Sequence, residues 1–245
     1  MYIYIYMINF AYLLVQGCNN CEYDGIPQLR ESIISLQHFH KDCKIYIYYG
    51  YDESSKDKIY QIEEFIKQHN LIGINIGYLK HNFPRIEYDH VADSIKNPYR
   101  LNILIEKIYI LLNHNHNEEI ILLDIDTRVK SLFIFDMNTP LLYSNENPLL
   151  NQRSLDSFFK KINYTVPKNT RMFNTGTVFI PKNNRKKIAQ EALDLVLLMN
   201  TISDKERLAK DLDEQISLSI VIFKHYKQIH FASKFLKHYM GQHIK

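Results

Sequence analysis

An apolar run in this sequence ends in two aspartates. The stretch EEIILLDIDTRV, residues 118–129, places Asp124 and Asp126 directly after four branched aliphatic residues. Side chains alternate along a strand, so both carboxylates are predicted to project to one side and Ile125 to the other. Two such charges ~4 Å apart repel each other by a few kcal/mol at an effective dielectric of ~20. A hard divalent cation relieves that repulsion, and Mg²⁺ or Mn²⁺ also keeps positions open for phosphates.

The same residues also have a simpler interpretation. D-x-D is a short and common pattern, and a strand that leaves the core for solvent can end in aspartates without holding an ion. In that case Asp126 or Thr127 caps the next turn. The motif alone leaves both interpretations open.

The elements that position these aspartates are predicted from the periodicity of apolar residues. The predicted strands cover residues 5–16, 44–50, 74–80, 118–126, 140–144 and 172–181. The predicted helices cover residues 27–39, 54–70, 97–113, 185–200 and 213–226. The alternation of strands and helices in the first half predicts an α/β fold, with an open, mostly parallel sheet and helices on both faces. Ligands bind beyond the carboxyl ends of the strands in such sheets, and Asp124 falls at one of these ends.

Composition narrows the class of protein. A chain of 245 residues with 46% hydrophobic residues can bury a large core, and we expect a single domain. The net charge of +3 comes without a basic block, so nucleic-acid binding is not expected. Three cysteines, Cys18, Cys21 and Cys43, predict no disulfide framework and favour a reducing compartment. Neither a signal peptide nor a membrane span is predicted, so the expected location is cytoplasmic.

Three segments follow one another along the chain: residues 107–129, MFNTGTVFIP at residues 172–181 and HYMGQHIK at residues 238–245. In this order they resemble motifs of family-eight glycosyltransferases, the glycogenin-like group. In that family, a helix that bears a lysine leads into an apolar strand that ends in D-x-D-T-x-V. Here Lys107 corresponds to the helix lysine, and residues 118–129 correspond to the strand and its ending. MFNTGTVFIP, residues 172–181, is similar to the F-N-S-G strand of the family, with Thr175 in place of serine. HYMGQHIK, residues 238–245, resembles its H-x-x-G-x-x-K segment.

The resemblance implies a fold and a domain organisation. The fold of the family is the GT-A fold, a Rossmann-like α/β domain. Residues 1–245 are expected to form one such domain, with a nucleotide-binding half at 1–130 and an acceptor-side half at 131–245 that carries the C-terminal metal-ligand segment.

The resemblance also implies a cofactor and a donor. The family binds a UDP-sugar, usually UDP-glucose or UDP-galactose, through Mn²⁺. The implied ligands are Asp124, Asp126 and His238, with His230 in reserve. Imidazole beside carboxylates favours Mn²⁺, and Mg²⁺ is the second choice.

Further donor-binding residues follow from the same resemblance. Lys107 is expected to reach the donor phosphate or the sugar hydroxyls, and Lys245 the diphosphate. Asn174 is expected to hydrogen-bond to the transferred sugar, and Gly176 to let the backbone approach it. Tyr23 is expected to stack on the uracil. The remaining implied donor-binding residues are Val15, Gln16, Ile125, Thr175 and Gly241.

The catalytic residues that the resemblance implies match the family pattern at all but one position. The family carries an Asp-Gln pair at a helix start and another aspartate three positions before that pair. Here Asp211, Glu214 and Gln215 occupy these positions, with Glu214 where aspartate is expected, and Asp213 is the alternative carboxylate. With Asn174 these are the implied catalytic residues. Transfer proceeds with retention in the family, and no covalent nucleophile is assigned.

Several alternatives stay open. The chain could be an inactive nucleotide-sugar-binding module, or a D-x-D-x-T phosphohydrolase, although Arg128 stands where that pattern has threonine or valine. A nucleotidylyltransferase is disfavoured because no glycine-rich loop follows the first strand. The acceptor (protein, glycan or lipid), the choice of sugar and a homodimer remain open. His114 and His116 are predicted to lie in a solvated turn rather than in a metal site.

Overall fold

A computed structural model describes residues 8–16, 25–51, 58–78, 99–145, 152–168, 170–199, 201 and 213–239. The strands are β1 (Asn9–Gln16), β2 (Ile45–Tyr51), β3 (Ile72–Tyr78), β4 (Ile120–Leu123), β5 (Thr127–Val129), β6 (Leu141–Asn145), β7 (Phe173–Phe179), β8 (His230–Phe231) and β9 (Leu236–His238). The helices are α1 (Gly25–Phe39), α2 (Ile59–Gln68), α3 (Tyr99–Asn113), α4 (Gln152–Lys160), α5 (Lys182–Met199) and α6 (Asp213–His225).

Among the described residues, seven strands form the central sheet, in the order β3-β2-β1-β4-β7-β6-β8. The first four strands of the chain run parallel to one another. β7 is antiparallel to both β4 and β6, and β8 is parallel to β6. The predicted α/β fold with a mostly parallel sheet is therefore confirmed.

Helices cover both faces of this sheet, as predicted. The chain moves outward from β1 to β3 and then returns to place β4 on the other side of β1. Because crossovers between parallel strands are right-handed, this reversal puts α1 and α2 on one face and α3 on the other. Leu29 and Ile62 fill the core on the first face, and Ile108, Val196 and Ile220 fill it on the second. The reversal between β1 and β4 is the switch point beside which such sheets bind ligands.

In the part of the chain that the structure describes, three short strands and one helix were not predicted from the sequence. β5 and β9 pair with each other in a small antiparallel sheet, and β8 forms one edge of the large sheet. Strands of two or three residues are too short to show a period, and α4 lies in a polar stretch. Within the described residues, no helix is both long and apolar enough to cross a membrane.

Candidate metal centre

Asp124 and Asp126 lie in a tight turn at the carboxyl end of β4. The backbone N–H of Thr127 donates to the carbonyl of Asp124 (3.2 Å), and the Thr127 hydroxyl donates to the same oxygen (2.8 Å). The expectation that strand alternation aligns the two carboxylates was wrong, because the chain leaves the strand after Leu123. The turn brings them together instead, and Thr127 caps it, as the simpler interpretation expected.

A second short element carries His238 to this turn. β9 pairs antiparallel with β5, and its register sets His238 opposite Thr127. The N–H of Tyr239 then donates to the carbonyl of Asp126 (3.1 Å). His238 is therefore held beside the aspartates by main-chain pairing, although more than a hundred residues of sequence separate them.

The three side chains converge. The Nε2 atom of His238 lies 2.9 Å from Oδ1 of Asp126 and 3.4 Å from Oδ2 of Asp124. One ligand atom from each residue lies within 4.8 Å of the others, and no second group of three such side chains occurs among the described residues. His230, the reserve ligand, lies in β8 and is not part of the group.

Lys107 approaches Asp124 from α3. Its Nζ atom lies 2.6 Å from Oδ1 of Asp124, and its side chain is only 8% exposed. Burial disfavours the charged ammonium, but Asp124 and then Glu214 outweigh burial and raise the pKa of Lys107. Asp124 thus directs one oxygen to Lys107 and the other to His238.

The ionisation states follow from these contacts. Burial alone would raise the pKa of Asp124, but Lys107 and His238 reverse the effect and lower the pKa to about 2. Burial alone would lower the pKa of His238, but the hydrogen bonds to Asp124 and Asp126 raise it to about 9. In the ion-free protein, the Lys107 ammonium and the His238 ring therefore both face the charged Asp124 carboxylate.

The start of α6 meets β7 beside Lys107. The Nζ atom of Lys107 donates to the carbonyl of Thr175 (3.4 Å), and the Thr175 hydroxyl donates to Oε2 of Glu214 (3.0 Å). Asp213 and Gln215 are buried at the same helix start. Glu214, one of the candidate catalytic carboxylates, therefore lies close to Lys107, because both side chains hydrogen-bond to Thr175. Asp211 lies outside the described residues.

The ring of His238 packs directly against Gly176. A Cβ atom at this position would lie 2.6 Å from Cε1 and 2.7 Å from Nδ1 of His238. The N–H of Gly176 donates to Oδ1 of Asn174 (2.8 Å), and its carbonyl accepts from the N–H of Asp124 (2.9 Å). A side chain at position 176 would therefore force the ring of His238 to move, so this glycine serves a contact within the protein.

Tyr143 is a neighbour of His238 that sequence reasoning missed. The two rings meet edge to face at 5.3 Å, and the Tyr143 hydroxyl accepts from the backbone N–H of His238 (3.3 Å). The segment 140–144 was predicted only as a strand, and no local pattern links it to a histidine almost a hundred positions later.

The structure describes some of the other predicted donor-binding residues. Val15 is half-buried near the carboxyl end of β1, and Gln16 is the last residue of that strand. Ile125 packs against the core on the α1 side of the sheet. The predicted site residues Tyr23, Gly241 and Lys245 lie outside the described residues, as do Cys18 and Cys21.

His114 was wrongly predicted to be solvated. It is buried (3% exposed), and its Nδ1 atom lies 2.6 Å from the hydroxyl of Tyr48. Burial and then the charge of Arg185 lower its pKa to about 4. His114 follows α3 and precedes β4, at the end of the sheet remote from Asp124, and His116 is exposed as expected.

The three side chains fit a small divalent cation. An octahedral ion with bonds of about 2.1 Å sets adjacent ligand atoms about 3.0 Å apart. The distances of 2.9 and 3.4 Å from His238 to Asp126 and Asp124 are close to this spacing. Lys107 uses Oδ1 of Asp124, so Oδ2 can bind an ion without displacing the ammonium. Two carboxylates and one imidazole form a donor set suited to Mn²⁺.

Comparison with known proteins bears on the fold. No protein-family model and no curated protein sequence matches this chain. Among solved structures, it is similar to the galactosyltransferase LgtC in complex with donor and acceptor sugar analogues (TM-score 0.52, 12% identity, 91% of this chain and 72% of that one). An active-site mutant of LgtC gives a TM-score of 0.54 at 11% identity, with the same coverage. The chain has the GT-A fold. At this level of identity the likeness establishes the fold alone.

Proposed function

We propose that this protein is a metal-dependent glycosyltransferase that moves a hexose, glucose or galactose, from a UDP-sugar to an acceptor hydroxyl with retention. The observation that carries the proposal is the convergence of Asp124, Asp126 and His238 at the switch point of the sheet. The GT-A fold shared with a galactosyltransferase supports it. The acceptor can be a protein, a glycan or a lipid.

Asp124, Asp126 and His238 hold Mn²⁺ in this proposal, with Mg²⁺ as a weaker substitute. When bound, the ion supplies Lewis-acid stabilisation for the charge that develops on the departing UDP. The three side chains also set the position of the donor diphosphate, because they meet beyond the carboxyl end of β4.

Lys107 has two roles in the proposal. Its ammonium fixes Oδ1 of Asp124, which directs Oδ2 towards His238. As a buried cation between Asp124 and Glu214, it also offers hydrogen bonds to a phosphate or a sugar hydroxyl. Because burial strengthens electrostatic interactions, a preorganised cation contributes more here than at the surface.

The transferred sugar is proposed to lie along Asn174, Thr175 and Gly176 of β7 and the start of α6. Glu214 is hydrogen-bonded to Thr175, and Gln215 follows it in the same helical turn. Asp213 and Glu214 are the described carboxylates proposed to act near the anomeric carbon. Retention without a covalent intermediate requires the acceptor to attack from the side that UDP leaves.

The test is a panel of nucleotide sugars incubated with the protein and Mn²⁺, with released UDP as the readout. We expect slow hydrolysis of UDP-glucose or UDP-galactose, which Asp124→Asn abolishes. Asp194→Asn, an exposed aspartate of α5, serves as the matched control and should keep full activity. Binding of UDP and Mn²⁺ without turnover of any donor would indicate a binding module instead. Release of inorganic phosphate from phosphate monoesters would indicate a phosphohydrolase.

Ligand binding should also raise the thermal stability of the protein. A ligand present at a hundredfold excess over its Kd stabilises the folded state by about 2.7 kcal/mol, so Mn²⁺ with UDP should raise the Tm. An equal shift in the double variant Asp124→Ala, Asp126→Ala would refute the assignment of the ligands.

A further inference from the structure

A chain of buried hydroxyls runs from the central sheet to the aspartate turn. The hydroxyl of Tyr12 in β1 lies 3.0 Å from that of Ser32 in α1, which lies 3.1 Å from that of Thr127. Thr127 in turn contacts the carbonyl of Asp124 at 2.8 Å. Tyr12, Ser32 and Thr127 are all fully buried, so water does not compete for these bonds.

The direction of every proton in this chain is fixed by its last member. A carbonyl oxygen can only accept, so the Thr127 hydroxyl must donate to Asp124. Ser32 must then donate to Thr127, and Tyr12 to Ser32. Burial raises the pKa of Tyr12 and outweighs its hydrogen bond to Ser32, so the phenol keeps its proton. All three hydroxyls therefore point towards the turn, and hydrogen bonds in such a series strengthen one another.

We propose that Tyr12, Ser32 and Thr127, named here the hydroxyl relay, position the Asp124–Asp126 turn for ion binding. β4 ends at Leu123, and the turn that follows is held by individual hydrogen bonds, among them those from Thr127 to the Asp124 carbonyl and from the Tyr239 N–H to the Asp126 carbonyl. Thr127 supplies a second donor to the Asp124 carbonyl, beside the backbone N–H of the same residue. The relay connects this donor to β1 and α1. The proposal rests on the proposed metal site and adds three positioning residues to it.

The test compares two valine substitutions of buried threonines. Thr127→Val removes the last hydroxyl of the relay with little change in volume. Thr177→Val is the matched control, because Thr177 is equally buried and its hydroxyl has no hydrogen-bond partner among the described residues. Mn²⁺ affinity is measured by electron paramagnetic resonance, and the Tm of each metal-free variant is recorded. Loss of an outer-shell partner lowers metal affinity by about 10- to 100-fold.

We expect Thr127→Val to lose at least about tenfold in Mn²⁺ affinity, Thr127→Ser to recover it, and Thr177→Val to bind as the wild type does. Tyr12→Phe removes the first donor and should cause a smaller loss in the same direction. Equal affinities in Thr127→Val and Thr177→Val would overturn the proposal, as would wild-type affinity in Tyr12→Phe.

A second readout separates this proposal from the proposed function. Hydrogen exchange of the Thr127 amide, which donates to the Asp124 carbonyl, is measured in metal-free protein. It should become faster in Ser32→Ala and Tyr12→Phe than in the wild type. If the wild type bound no Mn²⁺, the proposed function would fail, and the exchange rates would still decide the relay. Unchanged exchange in both variants would refute the relay even if the wild type binds the ion.

Discussion

Replacing Gly176 with alanine puts a methyl group into the space that the ring of His238 occupies. The added carbon lies 2.6 Å from Cε1 of that ring, whereas carbon atoms in ordinary contact are about 3.5–4.0 Å apart. The ring must therefore retreat by about 1 Å. The backbone of His238 cannot follow freely, because it pairs with Thr127 and donates to the Tyr143 hydroxyl.

Two effects of Gly176→Ala follow. Displacing one ligand of three should lower Mn²⁺ affinity by about 10- to 100-fold, comparable to the loss of an outer-shell partner. This corresponds to about 1.4–2.7 kcal/mol of binding free energy. Overpacking should also destabilise the fold by about 1–3 kcal/mol. Isothermal titration with Mn²⁺ measures the first effect, and urea denaturation of metal-free protein measures the second.

A control separates ion binding from general destabilisation. In Gly73→Ala, on the edge strand β3, the new methyl group meets Ile66 and Tyr49 at 3.1 and 3.2 Å, away from the candidate metal centre. It should cost stability while leaving Mn²⁺ affinity unchanged. The explanation of Gly176 would be refuted by Gly176→Ala protein that binds Mn²⁺ as tightly as the wild type.

Two further predictions concern buried charges. Lys107→Met leaves the carboxylate of Asp124 without its buried cation and should destabilise metal-free protein by about 3 kcal/mol in urea denaturation. Lys224→Met breaks the exposed pair with Glu191 and should cost at most about 1 kcal/mol, and equal losses would contradict the prediction. His114 has a pKa of about 4 when folded, below its unfolded value of about 6.5, so its stabilisation is complete above about pH 6.5. This stabilisation, up to about 3 kcal/mol, should be lost as the pH falls from about 6.5 to about 4. His114→Gln should reduce the pH dependence of the free energy of unfolding, and an unchanged pH dependence in that variant would refute the prediction.

Much of the fold followed from local patterns. The alternating strands and helices of the first half, and the apolar run of β4, indicated a parallel sheet and placed Asp124 at its carboxyl end. These features are local consequences of side-chain periodicity, so a single sequence shows them. The resemblance to a known family added His238, and the structure brings that residue to the aspartates.

The tertiary contacts that arrange the site could not be predicted from local sequence patterns. His238 reaches Asp126 because β5 and β9, each three residues long, pair across the molecule. Tyr143 and Ser32 come from elements predicted only as a strand and a helix, and their contacts depend on tertiary packing. His114 was misjudged because its polar neighbours resemble a loop, although its ring packs against Tyr46.

We propose that Asp124, Asp126 and His238 together bind a divalent cation that holds the donor diphosphate. The most direct measurement is X-ray diffraction from crystals grown with Mn²⁺ and UDP, with data collected at the manganese absorption edge. We expect one anomalous peak bonded to all three side chains and to oxygens of the diphosphate. A nucleotide bound without an ion between these residues, or a manganese peak elsewhere on the protein, would contradict the assignment of the site.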